Sequence, residues 1–463
     1  MKKTLGVVMM VTIILLASFH VGNVHALGSK MENDLVEIKT AKYDQRYYYF
    51  EDKGHFFIRK IDPNKFDEKK YITSYDIPGD KGVIRYFDSA KKMKTVELTE
   101  GPININTTIF IETDRYSMVL GKPYIYRNLG YETIEHVGVG SISVKKIATG
   151  YNLTYTFNFQ KNTFGIMWGV GSYNKLLDLE NINNQKLWGN YDLDYNARLS
   201  YNGYHYRSPN SYVPSTNKSF WLIPSDHLAN ALIGTGGSLA SNILGNALIN
   251  INLLKINGEG FMPTYPKSTW LYNDYGIGGG FFDTRFNGDT ICTYLIAYKK
   301  FGNEKYRSAY LKMAEYYMSH GEKNHYTISG NTGGEGWLVQ DYYAPNAKKT
   351  LCALNHQLQA INAFYSLYLQ EGNEKYLWFS DILLQGIKNS RNLWMIPHGD
   401  LHYAYMGNGK MGKADYPYLT YNDLYNVQQK IIHIKGVEDP DIKILMDHKR
   451  KWMDKNGVTQ YKK

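Results

Sequence analysis

The spacing of apolar positions changes character near the middle of the chain. From about residue 43 to 164, short alternating or β-branched segments are broken by Gly, Asn and Asp. Residues 107–113, 124–127, 141–144 and 153–157 read as antiparallel strands separated by turns. Residues 165–221 are aromatic and polar without a helical period, and read as a long connection that carries short strands or binds ligand. Beyond Ser225, a good N-cap residue, Leu, Ala and Ile recur at three- and four-residue spacing. A unit then repeats. Residues 291–301 lead into Gly-Asn-Glu-Lys-Tyr at 302–306 and an apolar-periodic stretch at 309–318. Residues 361–369 lead into the same five residues at 372–376 and a stretch at 377–387, and a looser copy covers 427–434, 436–440 and 442–453. Each copy reads as helix, Gly-stopped turn, helix, and such pairs bury their apolar faces only by packing side by side. The pattern predicts an α+β multidomain protein. A β-rich domain with long loops spans 27–221, and an α/α toroid, an incomplete (α/α) barrel, spans 222–463; an open helical solenoid is the alternative.

The N-terminus predicts where the protein works. Lys2 and Lys3 precede an apolar run over 5–19 and then Val24-His25-Ala26, a small-x-small cleavage pattern, so residues 1–26 read as a signal peptide. The expected product is secreted and extracellular, with an uncleaved membrane anchor as the alternative; no later segment is apolar enough for stable membrane insertion after cleavage. The formal charge of +10 suits a partner that is an anionic polymer. Nucleic acid is disfavoured by the extracellular address and by the absence of a concentrated basic run. Two cysteines exclude a disulfide framework; Cys292 and Cys352 are either bonded to one another or buried as free thiols. No Cys/His cluster has zinc spacing, no HExxH occurs, and no Gly-rich loop matches a P-loop or dinucleotide fingerprint, so neither a metal nor an organic cofactor is expected.

Composition adds a hint about substrate. Aromatics make 15% of the chain, 42 of them Tyr, a residue whose ring stacks on sugars while its hydroxyl bonds them; the same residue also serves strands. Three segments between the helix pairs concentrate acids, aromatics and glycines: 272–289, 333–343 and 397–425. If each caps the same end of its hairpin, they converge on one mouth lined with Tyr, Trp337, Glu335, Asp and Arg285. Arg285 there can grip a carboxylate in bidentate fashion. The plainer reading of the same residues is N-caps, turns and a solvated arginine.

These segments resemble the D-glucuronyl C5-epimerase family over roughly residues 255–455, its helical C-terminal domain. Gly288 to Tyr298 is similar to the family's Gly-Gln-Ala-Ile-Ser-Thr-Leu-x-x-Ala-Tyr helix, with Asp289 in place of Gln. Trp337 to Tyr342 resembles its Trp-x-acid-acid-Tyr segment, with one extra residue, Gln340 replacing one acid and Asp341 the family's Glu. Leu354-Asn355 opens the next helix as in the family. Met395 to Tyr403 resembles its Leu-Pro-x-x-Asp-x-Gly-x-Gly-Thr-x-Tyr loop, with Tyr405 competing for the register of Tyr403. Tyr421 to Gln428 is similar to Tyr-x-Thr-x-His-x-x-Gln, with Asp423 for Thr and Tyr425 for His.

The resemblance implies inversion of glucuronate C5 within a polysaccharide, by proton removal from one face and return to the other. Implied catalytic residues are Tyr421 and Asp341 on opposite faces, supported by Tyr342 and Tyr403. Implied substrate contacts are Arg285, Trp337, Glu335, Tyr405, Tyr425, Gln428 and Asn355. The implied partner is a glucuronate-containing anionic polysaccharide, and a homodimer is implied. Competing readings are a uronate lyase using the same groups, a glycoside hydrolase pairing Asp341 with Asp283, Glu335 or Asp400, and a non-catalytic carbohydrate-binding protein.

Overall fold

The computed structural model describes residues 35–51, 53–65, 69–193, 197–330 and 334–462; the signal sequence expected over 1–26, and Gly333 of the second loop, lie outside the described residues. The N-terminal half is β-rich and the C-terminal half helical. Among the described residues, thirteen strands form one large sheet and four form a second, in the order Lys70–Pro78, Gly150–Asn158, Ser141–Ile147, Gly101–Pro102. The central strand Thr163–Ser172 pairs antiparallel with Gly54–Ile61, Tyr124–Gly130 and Ser117–Leu120.

Its two faces bury different partners, as a period of two requires. Met167 joins Phe57, Leu153, Tyr155 and Phe157 between the two sheets, whereas Ile166, Trp168 and Val170 join the core shared with the helices. The described residues of the stretch 165–221, which are 165–193 and 197–221, thus carry regular structure. They hold the rest of the central strand, helix α1 (Ile182–Leu193), and the strands Ala197–Ser200, Gly203–Arg207, Tyr212–Val213 and Ser219–Leu222.

The remaining helices are α2 (His227–Thr235), α3 (Leu239–Leu253), α4 (Thr269–Tyr275), α5 (Thr284–Phe301), α6 (Glu304–Lys323), α7 (Leu354–Glu371), α8 (Glu374–Asn389), α9 (Arg391–Trp394), α10 (Leu419–Lys435) and α11 (Pro440–Lys455). The repeated five residues are a turn with two caps. Gly302 and Gly372 end α5 and α7 at φ +67° and +65°, a left-handed conformation that glycine adopts without steric cost. Asn303 and Asn373 then accept the N–H groups of Lys305 and Lys375, capping α6 and α8. The looser copy keeps the logic, with Gly436 at φ +76° closing α10, Asp439 capping α11 and Pro440 opening it.

Four helical hairpins result among the described residues: α2–α3, α5–α6, α7–α8 and α10–α11. Their first members pack in the sequence α2, α5, α7, α10, an arc of inner helices, while α3 lies on the large sheet. The helices start earlier than the periodicity suggests. Arg285 and Asp289 belong to the first turns of α5, and Tyr421, Asp423 and Tyr425 to those of α10, so these residues are helical and not loop residues. Cys292 and Cys352 are free thiols. Among the described residues, no helix is long and apolar enough to cross a membrane.

Candidate active site

Because the inner helices run in the same direction, their N-termini meet. Arg285, in the first turn of α5, bonds Asp423 of α10 at 2.5 Å, faces Asp289 at 3.4 Å, and donates to the carbonyl of Asn355 in α7 at 2.9 Å. His227, in the first turn of α2, sits in the field of Asp289 and Arg285, and Ser225 donates to Asp289 at 3.3 Å. Four partial positive helix ends and one guanidinium therefore share one end of the arc. Arg285 is already engaged by the protein's own acids, which makes it a hub for the helix ends more than a free grip for a ligand.

Beneath the mouth lies Asp283, the N-cap of α5, whose carboxylate accepts the N–H of Phe286 at 3.0 Å. Burial pushes its carboxyl up to about 7, against the backbone N–H groups of Phe286 and Arg285 that favour the charged form. Burial likewise lifts Asp423 to about 6, against Arg285. Asp341, fully buried, accepts the Ala353 N–H at 2.9 and 3.0 Å through its two oxygens; burial drives its carboxyl well up, and Asp283 adds to the effect. Behind it His356 accepts from or donates to the Thr284 hydroxyl at 2.8 Å, and burial together with Arg285 keeps that imidazole well below its ordinary range.

Phenols ring these carboxyls. Tyr342 pairs its backbone with Asp283 and turns its buried ring to Trp270, Phe281 and His356. Tyr403 is half-buried and meets Tyr416 edge-on at 5.6 Å. Burial, then Asp341, Tyr416 and Asp283, raise its ionisation far above that of a free phenol. Tyr212 also feels Asp283 and Tyr416. At the rim, the Lys413 ammonium lies 3.9 Å over the Trp270 ring. Together these groups offer a carboxyl titrating near neutrality, protonated phenols, a cation and aromatic faces. Among the described residues no group of three or more His, Cys, Asp or Glu is arranged to hold a metal ion.

The expected residues divide. Asp341, Tyr342, Tyr403, Arg285 and Asn355 come together here, and Asn355 Oδ1 is buried without a hydrogen-bond partner. Tyr421, Tyr425 and Gln428 do not join them. On a helix their spacing of four and three makes one stripe, about 200° around α10 from Asp423 at the first position. Tyr421 meets Tyr461 edge-on at 5.2 Å and feels Arg450, Asp447 and Asp454; Gln428 clamps the backbone of Asp439 with bonds of 3.0 and 3.1 Å. That stripe is the seam with α11.

Trp337 and Glu335 also lie elsewhere. Their hairpin, His325–Ser329 with Glu335–Val339, is laid on α8, where Gly336 and Gly386 touch so closely that a Cβ on either would meet backbone at 2.1 or 2.2 Å. Trp337 stacks on His325 at 4.1 Å and meets Trp378 of α8, and Glu335 is exposed. Tyr405 is buried against Tyr326 with its hydroxyl accepting the Gly409 N–H, so of the two registers it is Tyr403 that reaches the mouth. From the sequence Asp283 stands out only as one partner of a hydrolase pair, and Tyr212, Trp270 and Lys413 do not stand out at all. Tyr212 arrives through the pairing of Tyr212–Val213 with Lys267–Ser268, which no local pattern announces.

No family model matches the chain, and no curated protein matches it. Among solved structures it is similar to a family 76 glycoside hydrolase (mannosidase) from Bacteroides thetaiotaomicron VPI-5482, at 14% identity over 54% of this chain and 65% of that one, TM-score 0.38. It is similar to a sugar epimerase from a ruminal bacterium, at 16% identity over 49% and 57%, TM-score 0.33. A family 76 glycoside hydrolase from a bovine Bacteroides thetaiotaomicron strain aligns at 9% identity over 91% and 77%, TM-score 0.42. The chain spans less than two thirds of the length of the first two.

Proposed function

We propose that the chain is a secreted carbohydrate-modifying enzyme whose helical arc is an incomplete α/α toroid, with its active site at the shared N-terminal end of the inner helices. The reaction we assign is inversion of C5 of a uronate within an anionic polysaccharide. One observation carries this reading: Asp283, its carboxyl held at about 7, lies among phenols that stay protonated, Tyr403 foremost. A carboxyl near pH 7 both takes and gives up a proton under neutral conditions, and a protonated phenol is a donor. In this scheme Asp283 accepts the C5 proton and Tyr403 delivers one to the opposite face. The helix N-termini and Lys413 stabilise the charge that gathers on the uronate carboxylate.

A second reading has its own support. Two carboxyls with raised values that both feel Arg285, Asp283 near 7 and Asp423 near 6, also suit a glycoside hydrolase, one as acid and one as base. Incubation with glucuronate polysaccharides in D2O separates the two. Deuterium at C5 in the NMR spectrum, without new ultraviolet absorbance or reducing ends, supports epimerisation; new reducing ends without absorbance move the protein to the hydrolases, and new reducing ends with absorbance to the lyases.

A further inference from the structure

The hairpin Tyr124–Gly130 with Thr133–Val139 reaches from the large sheet toward the helical half and closes through the two residues Tyr131 and Glu132. Both have left-handed backbone, at φ +50° and +51°, and follow Gly130 at φ +86°. A two-residue turn of this kind favours Asn-Gly, because L side chains strain against left-handed φ. Here it carries a bulky aromatic and a glutamate. The glutamate has an anchoring role: its carboxylate accepts from Asn202 at 2.9 Å and its carbonyl accepts the Leu222 N–H at 2.9 Å. The tyrosine is held by its backbone, its carbonyl accepting the Thr133 hydroxyl at 3.3 Å, and its ring takes no part in that anchoring. Its ring is 65% exposed, the second most exposed large hydrophobic side chain among the described residues, so it bears both the backbone strain and the loss of burial.

Position gives the ring a use. It stands beside Gly279, where an added Cβ would lie 3.5 Å from Tyr131 Cδ1. Four residues on, the same segment becomes Asp283, at most about 14 Å away along an extended chain. The tip thus lies beside the segment that leads into Asp283, on the side of the β-rich half.

We propose that Tyr131 is a stacking platform for a pyranose ring of the polysaccharide, away from the reacting unit, which makes the β-rich half part of the substrate cleft. The inference rests on the polysaccharide reading above. A flat aromatic face on a rigid turn binds the apolar face of a sugar ring at small entropic cost, and its effect grows only when the chain is long enough to span both places.

The test is calorimetric titration of the full-length wild type, Tyr131→Ala and Tyr131→Phe with a tetrasaccharide and a decasaccharide of alternating glucuronate and N-acetylglucosamine. Tyr131→Ala weakens the decasaccharide roughly 3- to 10-fold and leaves the tetrasaccharide unchanged, and Tyr131→Phe keeps wild-type affinity for both. Equal binding of the decasaccharide by wild type and Tyr131→Ala overturns the platform alone. Failure of the wild type to bind either probe overturns the polysaccharide reading and the platform with it. Tyr131→Asn adds an independent check: relief of strain leaves its thermal midpoint at or above that of the wild type while decasaccharide affinity falls. A lower midpoint would assign the ring a structural role and overturn the proposal.

Discussion

Arg285 at the mouth and Lys449 on α11 each stand between two aspartates, yet their surroundings differ. Lys449 bonds Asp400 at 2.5 Å and Asp415 at 2.9 Å, its ammonium lies 4.5 Å from the Trp452 ring, and its side chain is wholly shielded. This triad ties the segment between α9 and α10 to α11 and is sealed from water. Arg285 keeps 17% of its side chain exposed and Asp289 keeps 18%. Around it lie Asp283, whose carboxyl burial lifts to about 7, and the half-exposed Tyr403. The two clusters hold similar ions, but the one around Lys449 is closed and the one around Arg285 keeps part of its surface open. Geometry around an ion cluster, more than its composition, separates a structural clamp from a reactive site.

The sharpest way to break that comparison is at the reacting groups. Tyr403→Phe and Asp283→Asn are each expected to lower C5 exchange by about 10²- to 10⁴-fold, the usual contribution of a general acid or base. Asn caps a helix as well as Asp, so Asp283→Asn is expected to keep the thermal midpoint near that of the wild type at neutral pH. Loss of activity accompanied by a large drop in midpoint would make Asp283 a cap and nothing more.

The closed cluster should answer in stability. Lys449→Met leaves Asp400 and Asp415 buried without their cation and is expected to cost about 3–5 kcal/mol in urea unfolding. Arg285→Met leaves Asp423, already lifted to about 6, and Asp289 able to protonate or hydrate at the open end, so its cost is expected to be smaller, about 1–3 kcal/mol. Equal costs would erase the distinction between the clusters.

Much of this architecture was legible in the chain, for identifiable reasons. The Gly-Asn-Glu-Lys-Tyr repeat is visible because Gly302 and Gly372 must be left-handed and Asn303 and Asn373 must cap, which are local demands. The strand character between residues 43 and 164 is a local alternation. The mouth was harder. The structure brings Arg285, Tyr403 and Asp341 together, but Tyr421 and Gln428 fall elsewhere, because a spacing of seven says nothing about which side of α10 it faces until α11 has packed. Trp337 was misplaced because a glycine contact, Gly336 on Gly386, carries its hairpin onto α8. Tyr212 enters through a pairing with Ser268, 56 residues distant in sequence, and its signal is invisible to any window.

Asp283 also gives the open cluster a pH signature centred near 7, whereas in the closed one burial raises Asp415 with Lys449 opposing it. The folded value of Asp283, about 7, stands above the ordinary carboxylate value near 4, so the folded chain keeps a proton through a window in which the unfolded chain has released it. The stability from this group is therefore full below about pH 4 and is lost as pH rises through about 7. Urea midpoints of the wild type are expected to fall between about pH 5 and about pH 8 more steeply than those of Asp283→Asn. The same ionisation adds negative charge beneath the mouth, so affinity for an anionic chain should weaken over that interval and weaken less in the variant. Parallel curves for the two proteins would place the titration elsewhere.

The smallest expected effect carries a large consequence for the assignment. Tyr421 lies on the α11 seam with its ring against Tyr461, and no contact found for it involves the mouth. Tyr421→Phe keeps the ring and the seam, removing only a hydroxyl. Exchange at C5 is expected to stay within about threefold of wild type, and stability within about 0.5 kcal/mol, as for substitutions that leave packing intact. Side by side with Tyr403→Phe, this variant decides between the two tyrosines that the family resemblance put in one active site. If Tyr421→Phe abolished exchange while Tyr403→Phe preserved it, the chemistry would sit at the α10–α11 seam, and the convergence of helix ends on Arg285 would be a second structural clamp like the one around Lys449.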